Sequence, residues 1–228
     1  MSWCEHYWPG NVVSECETRD VERSLVAVGS LGALADFLGE KALSAMGPGA
    51  DVVVVPTAAA FTGAAQAALA VAQSLEGLDL QLEALMMTDR TSASEAHFVS
   101  RLLEAAVVVL CDGSALHARS VWRDSPVGEA LHRARCVAAV GAVASVFGAV
   151  MIDPRGGAPT TGLGFSTGVA FCAPASDEQL ARTRALLDEK TALVVLGTRG
   201  VLSYEDETWR ILVAEDVIVT RGSDPATL

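Results

Sequence analysis

Residues 52–75 read VVVVPTAAAFTGAAQAALAVAQSL and contain no charged side chain. The run of four valines ends at Pro56, which cannot donate to a strand ladder, so the run predicts a strand that stops there. A run that is apolar at every position is typical of a parallel strand with both faces covered. The Ala-rich stretch that follows predicts a helix over 58–75. These residues therefore form one strand, one loop and one helix.

The same unit recurs along the chain. Short apolar runs bounded by Gly or Pro predict further strands at 24–29, 80–87, 105–110, 137–143, 168–173 and 191–196. The segments between them predict helices at 31–46, 92–104, 114–121, 127–135 and 177–187, and a capping box of Ser176 and Gln179 opens the last of these. Such alternation places helices on both faces of a parallel sheet. We expect a three-layer α/β fold with a mostly parallel central sheet.

The two ends of the chain follow other patterns. Residues 198–220, TRGVLSYEDETWRILVAEDVIVT, have turn residues at Arg199-Gly200 and Glu205-Asp206, which predicts a short antiparallel C-terminal extension of the sheet. Residues 1–23 mix aromatic and charged side chains without a period, so we expect a tail or an arm before one domain at 24–228. An aromatic arm can bury against a second copy, and a homo-oligomer, in the simplest case a dimer, is expected.

The composition limits the classes of partner. The 228 residues include 16 Lys and Arg against 28 Asp and Glu, a net charge of −12 that repels phosphate backbones, so we expect no nucleic acid partner. The uncharged run 136–152 predicts a strand, CVAAVGAV (136–143), and a buried helix, SVFGAVMI (145–152), rather than a membrane span. Five cysteines without a CxxC pair, and no basic segment before an apolar one at the amino end, indicate a cytoplasmic protein.

Ligands of parallel sheets bind at the carboxyl ends of the strands, so the loops of interest follow residues 56, 110, 143 and 173. The glycine pairs within 29–32 and 162–164 are too short for a dinucleotide-binding fingerprint, and the chain has no GK[ST] phosphate loop. We therefore expect no cofactor and no metal.

Several segments resemble, in the same order, the cyanophycinase and dipeptidase E family of serine peptidases. They are VVVVPTAAA (52–60), LEAAVVVLCDGSALHARSVWRDSPVGEALHRA (103–134), GLGFSTGVAF (162–171) and DEKTALVV (188–195). The resemblance covers residues 24–220 and implies the class I glutamine amidotransferase-like fold. It also implies a peptidase that cuts peptides with acidic residues, and thus a small peptide or another carboxylate-bearing ligand.

The family's nucleophile is the Ser of a Gly-Thr-Ser-Ala-Gly-Ala elbow, a tight turn from strand to helix that strains the backbone. The family's spacing from Pro126 makes Ser145 the candidate nucleophile, with Val143 and Phe147 in place of the elbow glycines. A second register puts Gly141 on the first family glycine, and Val143 then replaces the serine. A third interpretation makes Ser145 only a helix N-cap.

Hydrolysis by serine needs a neighbouring imidazole to accept the hydroxyl proton. In the family this His follows the strand after the elbow, where Pro174 stands here, and none of the four histidines lies downstream of Ser145. Glu189 stands where the cyanophycinase branch has its acid, but an acid orients an imidazole and does not replace it. His117 is the candidate for a displaced base, or else a surface residue on the first turn of a helix.

Other groups are expected in the same crevice. The loop Asp112-Gly113-Ser114 follows the strand at 105–110 and is expected near the elbow. Cys111 and Cys172 also fall at strand ends, but the acidic neighbours Asp112 and Glu189 predict core thiols rather than nucleophilic thiolates.

Arg155, with Arg119 or Arg199, is a candidate receptor for a carboxylate, or else a solvated loop arginine. Two functions remain open at this point. In the first, the chain is a catalytically silent homologue, a pseudoenzyme, with a binding, regulatory or assembly role in the former active-site crevice. In the second, it is an active serine hydrolase that uses Ser145 with His117 as the displaced base.

Overall fold

Five parallel strands form the centre of the main sheet in the computed structural model, which describes residues 23–42, 46–153, 157–222 and 224–228. They lie side by side in the order β3, β2, β4, β5, β1. Their bounds are β1 (Ser24–Val28), β2 (Ala50–Val55), β3 (Leu80–Ala84), β4 (Val107–Leu110) and β5 (Cys136–Val140). The continuous apolar runs form the buried inner strands, and the less apolar β3 lies exposed at the edge, as its sequence predicts.

Six α-helices are present in the described residues. They are α1 (Leu31–Phe37), α2 (Ala64–Ser74), α3 (Ala96–Glu104), α4 (Ala115–Trp122), α5 (Pro126–Arg133) and α6 (Asp177–Leu186). Serine side chains cap four of them by accepting a backbone N–H, and these are Ser30, Ser114, Ser125 and Ser176. A π-helical turn, Leu38–Ala42, continues α1. The expected helix over 31–46 is thus α-helical at 31–37 and π-helical at 38–42, and 43–45 lie outside the described residues.

Two apolar cores separate the helices into layers on either face of the sheet. Leu34 of α1 and Val71 of α2 pack in one core with Val54. Leu102 of α3 and Leu131 of α5 pack in the other with residues of the same strands that point the opposite way, such as Val53. Because neighbouring strand residues face opposite sides, each inner strand supplies both cores. The predicted three-layer α/β fold with a mostly parallel central sheet is confirmed.

The carboxyl-terminal third adds antiparallel strands, as expected. The hairpin of β10 (Val201–Glu205) and β11 (Thr208–Val213) pairs with β1 and turns at Asp206, which has a φ of +50°. A second sheet contains β8 (Val169–Cys172) and β9 (Ala192–Leu196) in parallel, followed by the antiparallel β12 (Val217–Arg221) and β13 (Asp224–Pro225). The sequence identifies β8 and β9 as strands but does not show that they leave the central sheet.

The predicted buried helix over 145–152 is wrong. Residues Gly141–Phe147 form a 3₁₀ helix, and the chain then enters β6 (Val150–Ile152), which pairs with β7 (Pro159–Thr161). An apolar run without a period does not distinguish a buried helix from a buried strand, and the β-branched residues at its end favour the strand.

No helix within the described residues has both the length and the hydropathy to cross a membrane. The expected N-terminal tail or arm lies outside the described residues, except for Arg23 at its end.

Candidate functional site

The carboxyl ends of β4 and β5 bring two predicted loops together. These strands pair directly, with Leu110 opposite Ala139. The loop Asp112-Gly113-Ser114 follows β4, and the 3₁₀ turn over 141–147 follows β5. The two loops therefore lie side by side at the edge of the sheet where parallel α/β folds bind ligands.

Gly141 has the left-handed backbone of this turn. The strand β5 ends at Val140, and the next residue, Gly141, has a φ of +63° and is the first residue of the 3₁₀ turn. A left-handed residue placed between a strand and a helical turn is the geometry of a nucleophile elbow. This region of φ favours glycine, which has no side chain to act as a nucleophile. The two sequence registers place the nucleophile position at 145 or 143, whereas the left-handed residue is 141.

Asp112 supplies a carboxylate to the backbone amides beside this turn. Its Oδ1 accepts hydrogen bonds from the N–H of Gly113 at 2.8 Å and from the N–H of Ala142 at 2.9 Å. In serine hydrolases, the N–H of the residue after the nucleophile and an N–H from another loop form the oxyanion hole. Ala142 follows the left-handed residue and Gly113 belongs to another loop. The Asp112 carboxylate thus accepts from two amides arranged like the donors of such a hole.

The loop that carries Asp112 is held closely against the segment after β2. The N–H of Ser114 donates to the carbonyl oxygen of Ala58 at 2.7 Å, and a Cβ at Gly113 would collide with that same oxygen. Gly113 also has a φ of +148°, so a larger residue would be strained there. The Ser114 hydroxyl in turn accepts the N–H of His117 at 3.2 Å and caps α4. The position of Asp112 is therefore fixed by its neighbours in the chain.

A cavity of about 160 Å³ lies beside the turn and contains several of the predicted site residues. Its size is close to that of a cavity able to hold benzene, on the order of 150 Å³. The described residues of the lining carry no charged side chain, and they are Ala115, Ala142, Ser145, Ile152, Cys172, Ala173, Pro174, Ala175, Gln179, Leu180 and Thr183. The structure thus brings Ser145, Cys172 and Pro174 together around one small space.

Ser145 lies within the 3₁₀ turn, four residues after Gly141. Its backbone is not left-handed, its residue is 5% exposed, and its hydroxyl donates to the carbonyl oxygen of Ala142 at 2.8 Å. No imidazole of the described residues accepts the Ser145 proton. The hydroxyl instead closes a turn of the 3₁₀ helix.

The three described histidines have other partners, and His6 lies outside the described residues. His117 Nε2 lies 2.8 Å from the carbonyl oxygen of Thr88, and its ring packs edge-on against Phe61. His132 Nε2 contacts the carbonyl oxygen of Leu163 at 3.2 Å, and burial lowers its pKa. The third, His97, lies 3.5 Å from the carboxylate of Glu95. None of these rings lines the cavity of Ser145.

Glu189 and Pro174 lie apart. Pro174 lines the cavity, just beyond the carboxyl end of β8. Glu189 precedes β9, which runs parallel to β8 and pairs Val195 with Cys172. Glu189 therefore lies before the amino end of this strand pair, whereas Cys172 lies at its carboxyl end. The role of Glu189 as the acid stays a prediction.

The two cysteines of the crevice are poor nucleophiles. Burial, reinforced by the Asp112 carboxylate, raises the pKa of the Cys111 thiol to about 12. Burial also raises the pKa of the Cys172 thiol to about 12, although Arg184 acts in the other direction. Thiols with such pKa values remain protonated near neutral pH, and the thiolate is the reactive form.

The predicted carboxylate receptor is only partly described, since Arg155 lies outside the described residues. Arg199 forms an ion pair with Glu215 at 2.8 Å and is therefore already neutralised. Arg119 lies on α4 and donates through Nη2 to the Thr161 hydroxyl at 2.6 Å. Arg123 donates to the same hydroxyl through Nη1 at 2.9 Å.

Sequence reasoning missed two features of this site. The first is the left-handed turn at Gly141. Its signal in the sequence was a glycine just inside the end of an apolar strand run. The second is the Asp112 carboxylate on the N–H of Ala142, a contact between residues far apart in the chain that no local pattern reveals.

Solved peptidases have the same fold. A peptidase from an acI-B1 actinobacterium superposes with a TM-score of 0.72 at 19% identity, over 91% of this chain and 94% of its own. A putative peptidase E protein from Listeria monocytogenes EGD-e superposes with a TM-score of 0.58 at 13% identity, over 88% of this chain and 98% of its own. No protein-family model matches the chain, and no curated protein matches it by sequence. At these identities the likeness establishes the fold alone, an α/β architecture with a mostly parallel central sheet.

Proposed function

We propose that this chain is a catalytically silent relative of the peptidase E-type serine peptidases, and that it binds a small peptide without cleaving it. The observation that carries the proposal is the pair of hydrogen bonds from the N–H groups of Gly113 and Ala142 to the Asp112 carboxylate. A bound anion at this position excludes the developing oxyanion of a hydrolytic reaction, because the two would share the same donors and repel one another.

Two further observations support the loss of hydrolysis. The residue with the left-handed backbone at the end of β5 is Gly141, which has no side chain to act as a nucleophile. The nearest hydroxyl in the turn, that of Ser145, gives its proton to a backbone carbonyl rather than to an imidazole. A serine without a general base loses several orders of magnitude in rate, even where the rest of the site is intact.

The proposed binding role rests on the cavity beside Ser145. Its described lining combines apolar side chains with the polar groups of Ser145, Gln179 and Thr183, and it includes no charged side chain. A pocket of this kind accepts a small neutral side chain and orients it through few polar contacts. We infer that a peptide ligand places such a side chain here, and that its backbone lies over the turn at 141–147.

An active-site probe tests the proposal. A fluorophosphonate reagent reacts only with a serine whose hydroxyl is activated by a base. Purified wild type and Ser145→Ala are incubated with the reagent, and trypsin in a parallel tube confirms that the reagent is active. We expect equal background labelling of both forms, and no hydrolysis of an aspartyl dipeptide by either.

The opposite result identifies the alternative function. Labelling of the wild type that disappears in Ser145→Ala would show an active serine hydrolase and would overturn the proposal. In that event His117→Ala should also abolish labelling if His117 is the displaced base. The matched variant His97→Ala, whose ring is exposed beside Glu95, should leave it unchanged.

A further inference from the structure

We infer that a groove formed by α4, α5 and the β6–β7 hairpin is an oxyanion-binding site, built from Arg119, Arg123 and Thr161, that takes a carboxylate or a phosphate group. The groove has a volume of about 400 Å³ and is lined on one side by residues 122–125 and on the other by residues 161–165. It is separate from the cavity of Ser145, so the inference does not depend on the proposed function.

The two arginines converge on one atom. Arg119 and Arg123 are four residues apart at the end of α4 and therefore lie on the same face of the helix. Arg119 Nη2 and Arg123 Nη1 both donate to Thr161 Oγ1, at 2.6 Å and 2.9 Å. Two guanidinium groups thus meet at one neutral oxygen, in an arrangement where an anionic oxygen would form stronger, charge-assisted hydrogen bonds.

The positive charge at this point is largely uncompensated. Arg119 has no carboxylate partner among the described residues, and its enclosed Nε has no hydrogen-bond acceptor there. Arg123 Nε lies 3.6 Å from a carboxylate oxygen of Asp124, whose side chain is 81% exposed. An ion pair that is so open to water contributes little. On a chain with a net charge of −12, the two arginines form a local site of opposite sign.

The groove leaves Arg123 and Thr161 accessible to a ligand, and Arg119 reaches its edge through the hydrogen bond to Thr161. The side chain of Arg123 is 44% exposed, and Thr161 is an exposed residue. Glu129 is the other acidic residue on the described lining besides Asp124, and its charge limits the negative charge that a ligand can carry into the groove. A carboxylate or phosphate group that displaces the Thr161 hydroxyl would offer several oxygens to two planar donor groups, which suits the fork geometry of arginine.

The site is also preorganised by a third arginine. Arg90 donates to the carbonyl oxygens of Ser120 and Arg123 through Nη1, at 3.0 Å and 2.8 Å, and to that of Asp124 through Nη2, at 3.0 Å. These bonds cap the end of α4 and fix the backbone of Arg123. Little conformational entropy is therefore lost when a ligand binds to these arginines.

Direct titration tests the inference. Inorganic phosphate and succinate are titrated separately into wild type, Arg119→Gln and Arg123→Gln at constant low chloride, and binding is measured by calorimetry. The control is Arg182→Gln, which removes an exposed arginine of α6 that pairs with Glu178. We expect saturable binding of at least one anion to the wild type and to the control, and a weakening of about 10-fold or more in each groove variant.

The two probes distinguish the ligand group. Tighter binding of phosphate identifies a phosphate-bearing ligand, and tighter binding of succinate identifies a carboxylate-bearing one. If the arginines only fasten the hairpin to α4, the groove variants lose thermal stability while the wild type binds neither anion, and the inference is overturned. Binding that is equally strong in the wild type and in both groove variants overturns it as well.

Discussion

The carboxylate of Asp112 occupies the space that a side chain at Gly141 would need. A Cβ built on Gly141 would lie 2.5 Å from Asp112 Cγ and 2.6 Å from each of its carboxylate oxygens. The left-handed turn and the carboxylate are thus mutually dependent: the glycine admits the acid, and the acid leaves no room for a side chain at position 141. The glycine at 141 and the hydrogen bonds of Asp112 to the two amides therefore belong to one arrangement.

The substitution Gly141→Ser should destabilise the protein by about 2–4 kcal/mol, because a left-handed backbone and an overpacked contact add their costs. In an Asp112→Ala background the contact is gone, and the same substitution should cost only about 1–2 kcal/mol. Urea unfolding of the four forms in a double-mutant cycle measures the difference.

Gly164 supplies the control for this cycle. It has a φ of +72°, and nothing would lie within 4 Å of an added Cβ. Gly164→Ser should therefore show the cost of backbone strain alone, and that cost should not depend on Asp112. Equal costs of Gly141→Ser in both backgrounds would contradict the contact with Asp112.

The pair of hydrogen bonds to Asp112 predicts different effects for two substitutions. Asp112→Asn keeps a side-chain oxygen that can accept both N–H groups, so stability should fall by less than about 1 kcal/mol. Asp112→Ala leaves the N–H groups of Gly113 and Ala142 without this acceptor, and should cost about 1–2 kcal/mol. Hydrogen exchange at the Ala142 amide provides a local readout. It should accelerate in Asp112→Ala more than in Asp112→Asn, and similar rates in both variants would count against the bond.

The strand positions were predictable because burial leaves a strong local signal. Val53 and Val54 are neighbours in β2 and pack into opposite cores, so both positions require an apolar side chain. The same burial on both faces explains the continuous apolar runs of the inner strands. The pairing of those strands in a parallel sheet follows from the helices between them. These are consequences of composition over a few residues, which a sequence displays directly.

The site was less predictable because it depends on contacts between distant residues and on single dihedral angles. The run VAAVGAV stays apolar through Gly141, so the glycine is its one local sign that the strand ends at Val140. Asp112 reaches the N–H of Ala142 only because β4 and β5 are neighbours in the sheet. The convergence of Arg119 and Arg123 was hidden for the same reason, since Thr161 belongs to a hairpin that the sequence did not predict.

The raised thiol pKa values predict a loss of stability in alkaline solution. The folded protein keeps the Cys172 thiol protonated up to a pKa of about 12, whereas an unfolded cysteine titrates near 8.5. Between these values the unfolded chain has lost the proton and the folded chain has not. The free energy of unfolding should therefore be unaffected by this thiol below about pH 8, and should decrease as the pH rises from about 9 towards 12.

The contribution of one thiol is isolated by comparison. Urea unfolding of wild type and Cys172→Ala is measured between pH 8 and pH 10.5, a window chosen from the pKa values above. The free energy of unfolding should decrease less steeply with pH in the variant than in the wild type. The two slopes should differ by at most the effect of one proton, about 1.4 kcal/mol per pH unit. Parallel curves for the two proteins would show that the thiol of Cys172 is not held protonated by the fold.

The cap formed by Arg90 should matter for both stability and anion binding. Arg90→Met keeps the aliphatic stem but removes the donors to three carbonyl oxygens at the end of α4, and should cost about 1–2 kcal/mol in urea unfolding. Because Arg90 lies outside the groove lining yet fixes the backbone of Arg123, we also expect phosphate or succinate to bind a few-fold more weakly. A lowered stability with unchanged affinity would show that Arg90 caps the helix without positioning Arg123, since a purely structural cap does not change the affinity of a folded protein for its ligand.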